Sequence, residues 1–100
     1  MGSGFSRPRA GLTELNIRSN NIGTDGATAF ADALKVNVVL TSLDLRYNAI
    51  DPWGGKALAD ALSANAVLKT MDARFNLLGQ EEKQLLRDAV KGRDGFELLV

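Results

Sequence analysis

The sequence predicts an α/β fold: a short right-handed solenoid of about three strand–turn–helix units, with parallel strands on its concave side and helices on its convex side. Three observations predict it. Residues 12–39 superpose on residues 40–67 at a shift of 28 without a gap, and fourteen of the 28 positions are identical. A second shift of 28 reaches Leu68 and keeps the apolar positions. Within each unit the apolar spacing changes from two residues, the strand period, to three and four, the helix period. One such unit cannot bury its own apolar stripe. Stacked units can, with strands about 4.8 Å apart and helix axes roughly 8–10 Å apart, and the difference in width curves the coil. A strand, crossover helix and parallel strand in sequence form a right-handed connection.

The elements follow in order. Residues 1–11 carry no helix pattern and are expected to be a flexible segment, either a tag or the remnant of a preceding repeat. Repeat one, 12–39, places Leu12, Leu15 and Ile17 at strand spacing, a turn at Asn20 and Ile22, and a helix face at Gly26, Ala29, Phe30, Ala33 and Leu34. Repeat two, 40–67, repeats it with Leu40, Leu43, Leu45, Asn48, Ile50, Gly54, Ala57, Leu58, Ala61 and Leu62. The alanines at 29, 33, 57 and 61 are expected to let the helices approach the sheet. Asp51-Pro52-Trp53-Gly54-Gly55 interrupts the match to Gly23-Thr24-Asp25-Gly26-Ala27. Pro52 suits the first helical position, and Trp53 is expected to plug the local packing at the helix start. The glycines at 23, 26, 54, 55 and 79 read as repeat turns.

Repeat three, 68–95, departs from the pattern. Ala73 replaces a strand leucine and Glu82 replaces the helix glycine. The segment Gln80–Lys91 is highly charged and is expected to be a polar capping helix, stopped by Gly92. Residues 96–100 are expected to form a last edge strand or an apolar lid.

The pattern L-x-x-L-x-L-x-x-N-x-L followed by G-x-x-x-L-x-x-x-L, at 28 residues, resembles the leucine-rich repeat of ribonuclease-inhibitor type. Leu12, Leu15, Ile17, Asn20, Ile22, Gly26, Phe30 and Leu34 carry it, then Leu40, Leu43, Leu45, Asn48, Ile50, Gly54, Leu58 and Leu62. The resemblance spans about residues 12–92. It implies that Asn20, Asn48 and Asn76 form an inward ladder bonded to the neighbouring turn. It implies too that protein ligands dock on the concave columns, and that the chain is the C-terminal part of an array. The family includes inhibitors, innate-immune sensor domains and GTPase-activating proteins.

Composition narrows the function. Without cysteine or histidine there is no disulfide, thiolate metal site or imidazole base. No nucleophile–base pair and no glycine-rich phosphate loop can be assembled, so no cofactor and no enzymatic activity are expected. Lysine and arginine number 12 and aspartate and glutamate 12, which gives no global pull toward nucleic acid or anionic lipid. No apolar run could span a membrane. The lack of cysteine and of an apolar leader points to a cytoplasmic protein. Met1–Ser6 has the spacing of an N-myristoylation signal, but that pattern is short.

The expected partner-binding residues lie in columns on the concave face: Asn16, Asp44 and Asp72; Arg18, Arg46 and Arg74; then Tyr47 and Phe75, beside Ser19. Glu14, Ser42 and Thr70 form the outer column. Two readings stand. Asp44 and Asp72 could answer the arginines within the protein, or the arginine forks and aromatics could recognise an acidic or phosphorylated protein segment. The leading expectation is therefore a non-catalytic protein-binding module. A structural capping fragment and a GTPase-regulating domain are the alternatives. Asp32, Asp60 and Asp88 recur on the helices and read as a solvated face offset by Lys35, Lys56 and Lys91. The uncapped N-terminal end is a template for association with another copy.

Overall fold

Leu15, Leu43, Met71 and Leu98 lie side by side across four parallel strands, which fixes the register of the whole molecule. The computed structural model describes residues 13–100. The expectations for residues 1–11, and the place of Leu12, lie outside the described residues. The strands are β1 (Glu14–Asn16), β2 (Ser42–Asp44), β3 (Thr70–Asp72) and β4 (Glu97–Leu99), in the spatial order β1-β2-β3-β4. The helices α1 (Gly23–Val36), α2 (Pro52–Ala64) and α3 (Gln80–Ala89) alternate with them, α1 packing on α2 and α2 on α3. The fold is the predicted α/β solenoid.

The alternation within each strand separates two faces. Leu43 and Met71 point toward the helices and are buried with Leu45, Ile50, Leu58, Leu62, Leu68 and Leu86. Their neighbours Ser42, Asp44, Thr70 and Asp72 occupy the opposite, open face. The sheet thus turns an apolar side to the helices and a polar side outward.

Each turn is held by asparagine. Asn48 is fully buried. Its Oδ1 accepts from Asn20 N–H at 2.8 Å, and its Nδ2 donates to the carbonyls of Ile17 and Leu45 at 2.9 and 3.1 Å. Asn76 repeats this one unit on, accepting from the N–H groups of Asn48 and Ile50 at 3.0 and 2.9 Å. A second file lies at the helix ends. Asn65 Nδ2 donates to Leu34 O at 2.7 Å, while its Oδ1 accepts from Val67 and Leu68 N–H, both at 2.8 Å. Asn37 Oδ1 accepts from Val39 and Leu40 N–H. One repeat after Asn65 stands Arg93, whose guanidinium reaches Leu62 O at 3.0 Å and Leu68 O at 2.6 Å. These bonds answer backbone groups that helix ends and turns would otherwise leave unpaired.

Several local expectations need correction. Trp53 is not a packing plug: it is 71% exposed, with Lys56 Nζ 5.1 Å above its ring. The start of α2 is secured instead by Asp51, which accepts from Gly54 N–H at 2.9 Å and from Thr24 Oγ1 at 2.6 Å. Ala29 and Ala33 are exposed, because α1 has a helix neighbour among the described residues on one side only; Ala27 and Ala31 are the residues buried there. Gly26 and Gly54 lie in the helices, as their place on the helix face implied, and Gly23 and Gly55 are helical as well, so none of these four is a turn residue. A Cβ on Gly54 would lie 2.8 Å from Ala27 Cβ, so this glycine sets how closely α2 approaches α1.

Glu82 is buried although it sits in a charged helix. Its carboxylate accepts from Gly79 N–H at 2.9 Å, one half of a capping box. Helix α3 ends at Ala89, two residues before the expected Lys91, and Gly92 turns the chain with φ of +83°. Residues 97–99 then form the edge strand β4. Asp32, Asp60 and Asp88 are exposed, as expected of a solvated helix face, and among the described residues none forms an ion pair with Lys35, Lys56 or Lys91. No helix among the described residues is long and apolar enough to cross a membrane.

Candidate functional site

The open face of the sheet gathers the columns of charged and aromatic residues. Register places Asn16, Asp44 and Asp72 in line at the ends of β1, β2 and β3. Each carries a side-chain oxygen that accepts from the backbone N–H two residues on: Asn16 from Arg18 at 3.0 Å, Asp44 from Arg46 at 3.1 Å and Asp72 from Arg74 at 3.2 Å. The same local bond recurs in all three repeats, and in repeats two and three it sets the arginine beside its own acid.

Two of the three arginines are then held as forks. Arg46 Nε and Nη2 reach Asp44 Oδ1 and Oδ2 at 3.0 and 2.7 Å, and Arg46 Nε also lies 3.3 Å from Asp72 Oδ2. Arg74 Nε and Nη2 reach Asp72 Oδ1 and Oδ2 at 3.0 and 2.8 Å. The side chains of Asp44 and Asp72 are largely shielded, so these charge-assisted bonds are poorly screened. The fork from Arg46 holds the Asp44 carboxyl below its ordinary range. Burial pushes the Asp72 carboxyl up, but Arg74 outweighs it and the net direction is again down.

Arg18 differs. Asn16 supplies the backbone bond but no carboxylate, and Arg18 makes no ion pair among the described residues. Its guanidinium carbon lies 5.7 Å from the centre of the Tyr47 ring. Tyr47 in turn stacks on Phe75, centroids 4.6 Å apart and planes 9° from parallel, and Arg74 covers the Phe75 ring at 5.8 Å. Cation, ring, ring and cation run in one line across three repeats.

Tyr47 and Phe75 are 47% and 58% exposed, and their backbones are left-handed, φ +58° and +61°. Ser19, their counterpart in repeat one, has φ of +62°. Such a conformation is unfavourable for bulky residues and persists only where the surroundings over-determine it. Here the ladder asparagine that follows each one fixes the turn. The structure therefore brings together all eight columnar residues named from the sequence. The difference between Arg18 and its two counterparts is visible in the sequence as Asn16 against Asp44 and Asp72. The left-handed aromatics have no local sequence signal.

Among the described residues, no group of three acidic side chains is placed to hold a metal ion. Residues 12–31 and 36–59 match the family model described as Leucine Rich repeat. No curated protein matches the chain. The matched segments hold β1, β2 and most of α1 and α2, in the register that the asparagine files lock. Over these two segments, and in the parallel sheet they build, the chain is similar to leucine-rich repeats.

Proposed function

We propose that this chain is a non-catalytic protein-binding module whose contact surface is the open strand face. Leucine-rich repeats are commonly protein-interaction modules. The observation that carries the reading is the Tyr47–Phe75 stack, half exposed and flanked by Arg18 and Arg74. The residues that dominate the energy of protein contacts are enriched in aromatic and arginine side chains, and here the arginines are already held over the rings. Asn16 bonds the backbone of Arg18, and Asp44 and Asp72 orient the side chains of Arg46 and Arg74. Replacing Tyr47 and Phe75 together by alanine tests this. Affinity for a partner isolated with the full chain is expected to fall at least about tenfold, the loss of a modest hot spot, with the melting temperature unchanged. Undiminished binding would overturn it.

A second reading rests on the other end of the molecule: the chain closes a longer array of ribonuclease-inhibitor type. Asn48 Oδ1 and Asn65 Nδ2 each bond the preceding repeat. Among the described residues nothing meets Asn20 Oδ1 or Asn37 Nδ2. Asn37 lines a groove of about 310 Å³ together with Leu15, Phe30, Leu34, Val39 and Leu40. These features support a seat for one more strand–helix unit, or for self-association there, while α3 is polar. Solution mass over a range of concentrations separates the two, and a monomer throughout argues against self-association.

A further inference from the structure

We infer that the partner presents an acidic side chain to Arg18, with an aromatic or aliphatic neighbour laid on the Tyr47–Phe75 stack. This rests on the strand-face reading and names the chemistry that the face recognises.

The argument comes from comparing like positions. In repeats two and three, one carboxylate does two things: an oxygen accepts the backbone N–H of the arginine, and both oxygens grip its guanidinium. In repeat one, Asn16 keeps the first task and loses the second, since its amide nitrogen stands where the second carboxylate oxygen would be. The backbone is therefore the same in all three, and only the charge is missing. Asp44 forms no ion pair with Arg18: Arg46 grips both of its oxygens, and its charge acts on Arg18 only at longer range. Glu14, on the same face, is exposed and forms no ion pair with Arg18. Along the file, three arginines face two aspartates, and the surplus positive charge sits at Arg18.

Charge complementarity then selects the occupant. The Nε and Nη2 donors of Arg46 and Arg74 are already held by Asp44 and Asp72, so an incoming anion there would compete with those carboxylates. Arg18 offers its donors without that cost. A lone surface ion pair contributes little, but next to a stacked aromatic pair it is shielded on one side by the ring. A phosphate needing several converging arginines is not matched by a single open fork. A protein segment with one Asp or Glu beside a flat or greasy residue is matched.

The test pans a displayed library of random linear peptides against the full chain. Selected peptides are measured against wild type, Asn16→Asp, Arg18→Ala and the double variant Tyr47→Ala/Phe75→Ala. Asn16→Asp supplies the missing carboxylate and reproduces repeats two and three, so it silences the site while preserving the fold. Acidic residues are expected in the selected peptides. Asn16→Asp and Arg18→Ala are expected to weaken binding by about fivefold or more, the effect of one charged contact near 1 kcal/mol. Thermal unfolding is expected to be unchanged or, for Asn16→Asp, raised. Peptides without acidic enrichment, no selectable peptide, or equal binding by Asn16→Asp would each overturn the inference. If only the aromatic double variant loses binding, the strand face stands and the acidic partner falls. If no variant loses binding, both fall.

Discussion

Arg46 Nε lies 3.3 Å from Asp72 Oδ2, one strand away, while the same guanidinium grips Asp44 of its own repeat at 2.7 Å. This cross-strand contact makes Asp72 the acid shared by two arginines, Arg46 and Arg74. Asp44 serves one. Asp72→Ala is therefore expected to destabilise the fold more than Asp44→Ala, by about 1–2 kcal/mol against about 0.5–1 kcal/mol, since the pairs are shielded but not fully buried. Urea unfolding of the two variants checks the order. Equal losses would mean that the cross-strand contact contributes nothing.

The same carboxylates set an acid limit. The folded-state pKa values of Asp44, Asp51 and Asp72 are lowered, by the fork from Arg46, by the hydroxyl of Thr24, and by Arg74 acting against burial. A depressed pKa adds stability that is fully present above the unfolded value, near pH 3.8–3.9, and is lost as pH falls through the folded value. The melting temperature is expected to be insensitive to these three groups above about pH 5 and to decline below pH 4. The decline should be shallower in Asp72→Asn. A variant that tracks wild type down to pH 2 would remove Asp72 from the account.

Asn48 and Asn20 occupy the same position in successive repeats but not the same environment. Asn48 is fully buried and bonds the turns on both sides; Asn20 is exposed. Asn48→Ala leaves several buried backbone groups without partners and is expected to cost about 1–3 kcal/mol. That corresponds to roughly 4–8 °C in melting temperature per kcal/mol for a domain of this size. Asn20→Ala is expected to cost less than about 1 kcal/mol, because water reaches its partners. Equal melting temperatures for the two variants would show that burial is not what gives the ladder its strength.

Identical residues at the repeat spacing declare the register in the sequence, and the register then places the non-identical columns such as Asn16, Asp44 and Asp72. Leu15 and Leu43, or Asn20 and Asn48, declare the register because the same chemistry is needed at the same place in each unit. Asn37 and Asn65 recur too, but the file is hidden at its third member, where Arg93 reaches the same type of carbonyl with a different group. Tyr47 and Phe75 defeat local reasoning for another cause: aromatic residues disfavour left-handed backbone, and the turn imposed by Asn48 and Asn76 overrides them. The place of Trp53 at the helix start, after Pro52, suggests a packing role that the structure does not give it. The space beside α1 and α2 is instead closed by glycine and alanine, and the indole is left outside.

Arg93 is where the second file meets the end of the sheet. Its Nη1 and Nη2 tie the carbonyl at the end of α2 to the one that precedes β3, and the guanidinium lies 4.8 Å above the Phe96 ring, next to β4. Asparagine at this position is too short to reach both carbonyls and to cover Phe96. Arg93→Ala is expected to cost about 1–3 kcal/mol by stranding Leu62 O and Leu68 O, with Arg93→Asn intermediate. The loss should be local first, because β4 is an edge strand paired only with β3. Amide exchange at Glu97 and Leu99 is therefore expected to accelerate before exchange at Leu43 or Leu45. Uniform acceleration across all four strands would mean that Arg93 holds the whole core and not the last strand.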